Sequence, residues 1–213
     1  WDNCPNTANS DDHVPPRALL PKWDHKCLPH NWRTVRSCIE HNGKLSNLDN
    51  KFIFQLLHYY LNNEYAEGYL HKKIPTSKHL AREIFSKIEN GNKFHADMEI
   101  DKKGAEKIIR GLYRLLEGEN LRGDIDVYNL SLVPSKNEQS DLYFKLQNYL
   151  ELLKNGSLDR SFSGKFTEHF RYEMYRCEKH GIWWLKFYEG VEYIGVFDIW
   201  KNPYNFFSAA TDK

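Results

Sequence analysis

The sequence predicts an α+β chain: a metal-stabilised N-terminal module, a helical middle and a C-terminal antiparallel β-sheet. Three observations carry this. Residues 1–48 are rich in Asn, Asp, Pro, His and Cys and hold few long apolar stretches, so an ion is a reasonable candidate for holding them together. The middle of the chain repeats apolar residues at helical spacing. From Phe166 the period changes to segments rich in Phe, Tyr, Trp, Val and Ile, separated by turn-like residues.

The elements follow in order. Arg33-Thr34-Val35-Arg36-Ser37 reads as a short strand, and Cys38-Ile39-Glu40-His41-Asn42-Gly43-Lys44 as the approach to a long helix. Ser46, Leu48 and Asp49 lead into that helix, whose stripe is Phe52, Phe54, Leu56, Leu57, Tyr60 and Leu61. A second stripe runs through Leu80, Ala81, Ile84, Phe85 and Ile88 and stops at Gly91. A third runs from Ala105 through Ile108, Ile109, Leu112, Leu115 and Leu116 to Gly118. Residues 123–133 alternate as a strand ended by Pro134, and a helix is expected over about 139–154, broken by Gly156 and Ser157. The segments 166–177, 182–188 and 191–200 then form a meander, with turns at Lys179-His180-Gly181 and Glu189-Gly190.

Composition bounds the function. Of the 213 residues, 40% are hydrophobic and 15% aromatic, enough for a packed core. The net charge is +1 and the pI about 7.8, so the chain is no general polyanion coat. A nuclease needs only a local cationic strip and its bound metal, which this balance permits. Apolar runs are too short to span a bilayer, and no secretory pattern opens the chain. The four cysteines are too few and scattered for a disulfide scaffold; with histidines between them they favour a reducing, cytoplasmic setting and metal binding. No glycine-rich phosphate loop is visible, so no ATP dependence is expected.

The chemistry-bearing residues cluster near the start. Ser10-Asp11-Asp12-His13-Val14-Pro15-Pro16 sets an acidic pair against a histidine, and the prolines stop the strand. A carboxylate and an amide oxygen suit one hard divalent ion such as Mg²⁺ or Mn²⁺. A histidine outside the metal shell takes a proton from water near neutral pH. Asp12, Asn42 and His13 supply those three parts.

DDHVPPRALLPK followed by TVRSCIEHNGKLSNLDNKF resembles the HNH endonuclease family, whose fold is a ββα-metal module. The resemblance implies His13 as general base, Asp12 and Asn42 as ligands of the catalytic ion, and Asn31 as the middle Asn that orients the histidine. It also implies phosphate contact by Lys44, and Arg36 is a further candidate for touching nucleic acid. Such modules carry a structural Zn²⁺ in two knuckles: Cys38-x-x-His41 matches the second, and Cys4 belongs to the first. The partner of Cys4 falls at Trp1 or upstream of it; Cys27 or His25 is the substitute, or zinc is not bound. The module spans 1–62, and 63–213 hold the helical region and the sheet. Lys107-Ile108-Ile109-Arg110-Gly111-Leu112-Tyr113 resembles a segment found downstream in some HNH proteins and names no chemistry by itself.

The expected activity is metal-dependent hydrolysis of phosphodiester bonds, with DNA favoured over RNA and no membrane partner. The alternatives are a non-catalytic zinc-stabilised nucleic-acid-binding or scaffold protein, and an RNase with the same site. The aromatic sheet is expected to pack on the helices rather than stack bases.

Overall fold

The computed structural model describes residues 6–19, 33–59, 64–73, 97–130, 148–151, 155, 159–167, 169–176, 180–188 and 190–198. Two short strands open it: β1 (Ser10–His13) and β2 (Thr34–Ser37) pair antiparallel, with Asp12 opposite Val35 and His13 opposite Thr34. β2 runs directly into α1 (Ile39–Tyr59). α2 (Glu64–Lys73) and α3 (Met98–Glu117) follow. A second sheet comprises β3 (Ile125–Asn129), β4 (Asp159–Thr167), β5 (Phe170–Arg176), β6 (His180–Phe187) and β7 (Val191–Asp198), in the order β3-β7-β6-β5-β4, all antiparallel. Mixed helix and antiparallel sheet is the α+β class.

α3 is the spine. Asp97 caps it by accepting from the Glu99 and Ile100 amides, and Gly118 at φ 76° ends it in the left-handed conformation. Its face of Ala105, Ile108, Ile109 and Leu112 is buried against α1 and the sheet. Phe52 of α1 meets Phe187 edge-on at 5.8 Å and Tyr193 at 5.6 Å. The large aromatics Phe170, Trp183, Phe187 and Tyr193 are fully buried, so this face of the sheet packs against helices.

Glycines set the closest approaches. A Cβ on Gly195 of β7 would lie 2.2 Å from Ile109 Cδ1, and one on Gly104 of α3 would lie 2.3 Å from Phe52 Cγ. One continuous core joins Val14 and Leu19 near the start of the chain to Phe52, Ile109 and Phe197. The turn Arg17–Leu19 is held from two sides, by Tyr69 Oη donating to the Ala18 carbonyl and Tyr188 Oη to that of Leu19 at 2.6 Å. Between α3, α1 and β3, Asp101 is 2% exposed and accepts from Gln55 Nε2 at 2.5 Å and Asn129 Nδ2 at 2.9 Å, so its burial is compensated by hydrogen bonds.

Several expectations shift. α1 begins at Ile39, seven positions before Ser46, which lies inside the helix with its carbonyl accepting from Asn50. Asn42 and Gly43 are weak helix formers and hid that first turn; the Cys38 sulfur accepts the His41 amide there instead. His180 and Gly181 belong to β6, paired with Asp198 and Phe197, rather than to a turn. The segment expected over 166–177 is divided: Phe166 and Thr167 end β4, and β5 starts at Phe170. The rest of β4 is hidden in the sequence because Ser161, Ser163 and Gly164 break the apolar pattern, and as an edge strand it needs only β5 for pairing. The expected strand over 123–133 is realised as Ile125–Asn129, with 131–133 outside the described residues. The stripe from Leu80 to Ile88 also lies outside them, and of the helix expected over 139–154 only 148–151 are described as helical.

Gly104→Ala is expected to destabilise the fold by about 1–3 kcal/mol, because the new methyl meets Phe52 near its own backbone. The gain in helix propensity, at most about 1 kcal/mol, does not offset this. A lowered urea midpoint at unchanged m-value would report it; a midpoint at or above wild type would refute the packing argument.

Candidate functional site: the hairpin, the first turn of α1 and the buried face of α3

Successive residues of a strand point to opposite faces, and β1 uses this directly. Asp12 is 5% exposed and turns inward, whereas its neighbour His13 is half-buried on the other side. Asn42, in the first turn of α1, donates from Nδ2 to Ser10 Oγ at 2.6 Å and to the Asp11 carbonyl at 3.1 Å. Both partners lie more than 30 positions earlier in sequence, so the hairpin and the helix start are held together side chain to strand. With both amide bonds made from nitrogen, the Asn42 carboxamide oxygen is left to accept.

The Asp12 carboxylate meets Lys107 of α3, whose Nζ lies 3.2 Å from each carboxylate oxygen. The same ammonium donates to both oxygens of Asp49 on α1, at 2.8 and 2.7 Å. Lys107 is 5% exposed and Asp49 9%. Neither Lys107 nor Asp49 was singled out for chemistry from sequence. The signals that existed were the segment starting at Lys107 and the Asp49 that follows Ser46, each without an assigned partner.

A cleft of about 780 Å³ runs between the hairpin and α3, with Asp12 and His13 in its wall. Arg36, Lys107, Arg110 and Arg114 also line it, against the carboxylates of Asp12 and Glu106. Arg110 is braced by Glu106 at 2.7 Å and by the carbonyls of Leu121 at 2.5 Å and Gly123 at 2.7 Å. Arg36 pairs with Asp11 at 2.9 Å, and Lys44 with Glu40 at 2.5 Å; both pairs are exposed. Exposed pairs of this kind are weak, so Arg36 and Lys44 exchange partners at little cost.

Burial of the His13 ring, aided by the Arg17 guanidinium, holds its pKa below the ordinary 6.5, against the opposing carboxylates of Asp12 and Asp11. A neutral imidazole at physiological pH is the form that accepts a proton. Burial pushes Asp49 up to about 6 from the ordinary 3.8; Lys107 pulls it down and Asp12 adds to the rise.

Metal-ligand candidates divide into two groups. Carboxylate and amide oxygens at Asp12 and Asn42 suit a hard divalent ion, which would draw on Asp12 in competition with the Lys107 ammonium. Cys38 Sγ and His41 Nδ1 stand 3.0 Å apart, a hydrogen-bonding separation, closer than the roughly 3.6 Å between a sulfur and a nitrogen on one tetrahedral Zn²⁺. Among the described residues, no group of three His, Cys, Asp or Glu side chains is placed to hold a metal ion. Cys4, Asn31, Trp1, His25 and Cys27 lie outside the described residues. Among the described residues, no helix is long and apolar enough to cross a membrane. Set against protein-family models, curated proteins and solved structures, the chain matches none of them.

Because its folded-state pKa is raised, Asp49 is protonated more readily in the folded chain than in the unfolded one. Its contribution to stability is present below about pH 3.8 and is lost as pH rises through about 6. Asp49→Asn removes this slope: its urea midpoint relative to wild type is expected to climb from about pH 4 to about pH 7 and then level off. A pH-independent difference would contradict the assignment of Asp49 as a carboxylate raised by burial.

Proposed function

We propose that the chain is an HNH-type endonuclease that hydrolyses phosphodiester bonds in DNA with a divalent ion, Mg²⁺ or Mn²⁺. The observation that carries this reading is the hydrogen bonding of Asn42, in the first turn of α1, to Ser10 and Asp11 of the strand that bears His13. That is the juxtaposition of motif halves a ββα-metal site requires.

In this reading His13 takes a proton from the attacking water, and its lowered pKa keeps the ring in the accepting form. Asp12 and Asn42 hold the ion, which when bound stabilises charge on the phosphate and the leaving oxygen. Asn31 orients the His13 ring. Arg36 and Lys44 turn from their exposed carboxylate partners to backbone phosphates. Arg36, Arg110 and Arg114 in the wall of the cleft offer guanidinium groups to a polyanion despite the near-neutral charge of the whole chain. Cys38 and His41 are the two described residues that would contribute to a structural Zn²⁺ at the start of α1, where Cys4 and a fourth ligand would complete the set.

Purified protein with Mg²⁺ or Mn²⁺ is expected to nick plasmid DNA, and His13→Ala to slow this by about 100-fold or more while leaving the circular dichroism spectrum unchanged. Robust cutting by the His13 variant would sink the assignment. Digesting RNA beside DNA under the same conditions decides the sugar preference.

A further inference from the structure

Two buried carboxylates share a single ammonium at the foot of the candidate site, and they do not share it equally. Lys107 Nζ lies 2.7 and 2.8 Å from the oxygens of Asp49 but 3.2 Å from each oxygen of Asp12. An ammonium has three hydrogens to donate. Two are well used by Asp49, which leaves one, spread over both oxygens, for Asp12. With both carboxylates ionised the group carries one negative charge in excess, in a place where an uncompensated charge is costly. Asp12 is the member that also lines the cleft beside His13, so a cation entering there reaches the loosely held carboxylate.

We propose that Lys107, anchored by Asp49, is a built-in counter-cation for Asp12, and that the strength of this anchoring sets how readily Asp12 is released to a divalent ion. The inference rests on the reading of Asp12 as a ligand of the catalytic ion. Lys107 and Asp49 are positioning residues: they act through Asp12 and touch neither the ion nor the substrate. When an ion draws on Asp12, the ammonium remains neutralised by Asp49, so no buried positive charge is left unpaired. Asp49 therefore makes the exchange feasible, and without it Lys107 belongs wholly to Asp12.

The test is Mn²⁺ binding to the full chain without nucleic acid, by titration calorimetry or by loss of the free-ion paramagnetic signal. Asp49→Asn keeps shape and leaves a balanced Lys107–Asp12 pair, so its fold is retained; it is expected to weaken Mn²⁺ binding by about tenfold or more, the range seen when a ligand's supporting partner is changed. Adding Lys107→Met to Asp49→Asn frees Asp12 again and is expected to recover at least that loss. A ligand role for Asp49 itself predicts no recovery in the double variant, which would overturn the proposal. Wild-type affinity in Asp49→Asn would overturn it too, while the nuclease reading stands as long as Asp12→Asn abolishes Mn²⁺ binding and His13→Ala abolishes cleavage. Failure of the wild-type chain to bind Mn²⁺ through Asp12 would remove both.

Discussion

A lysine ammonium cannot be taken out of water without partners, and the way Lys107 is satisfied organises much of the N-terminal half. Its two carboxylate partners lie on β1 and α1, while Lys107 itself is on α3. Three segments far apart in sequence are thereby tied at one point by groups that are each costly to leave alone. Once Asp12 is drawn inward to Lys107, the alternation of the strand sends His13 to the other face, and both residues reach the wall of the cleft. The placement of the candidate base thus follows from burial of its neighbour.

The same helix makes the hairpin part of the body. Gly111, one turn beyond Lys107, leaves room for Val14, since a Cβ there would lie 2.5 Å from Val14 Cγ2. Arg110, between them in sequence, ties α3 to the chain that leaves it through the Leu121 and Gly123 carbonyls. Ile109, on the adjacent face, meets β7 at Gly195. One stretch of α3 therefore contacts the hairpin, the exit loop and the large sheet. The segment around Lys107 is where the chain's N-terminal strands meet its core, a role that a linear reading of it did not suggest.

How legible all this was depends on range. The stripe from Ala105 to Leu116, the stop at Gly118 and the strands β5 to β7 could be read because they are written in local periodicity and turn chemistry. β4 and the first turn of α1 could not, since Ser161, Gly164, Asn42 and Gly43 lack the local preference; β4 is held by its pairing with β5, and Asn42 by Ser10, 32 positions earlier. At the site, Asp12, His13 and Asn42 were legible as chemical types at suggestive spacing. What no spacing could reveal was that Asp12 turns away from its neighbour and toward Lys107, because a buried ion pair between residues 95 positions apart leaves no periodic trace. The sequence by itself determined the α+β class, most element types and the candidate chemistry. Only the tertiary structure decided which carboxylates share an ammonium and that Asp12 turns inward to it, because those follow from the need to compensate buried charge among elements that meet only on folding.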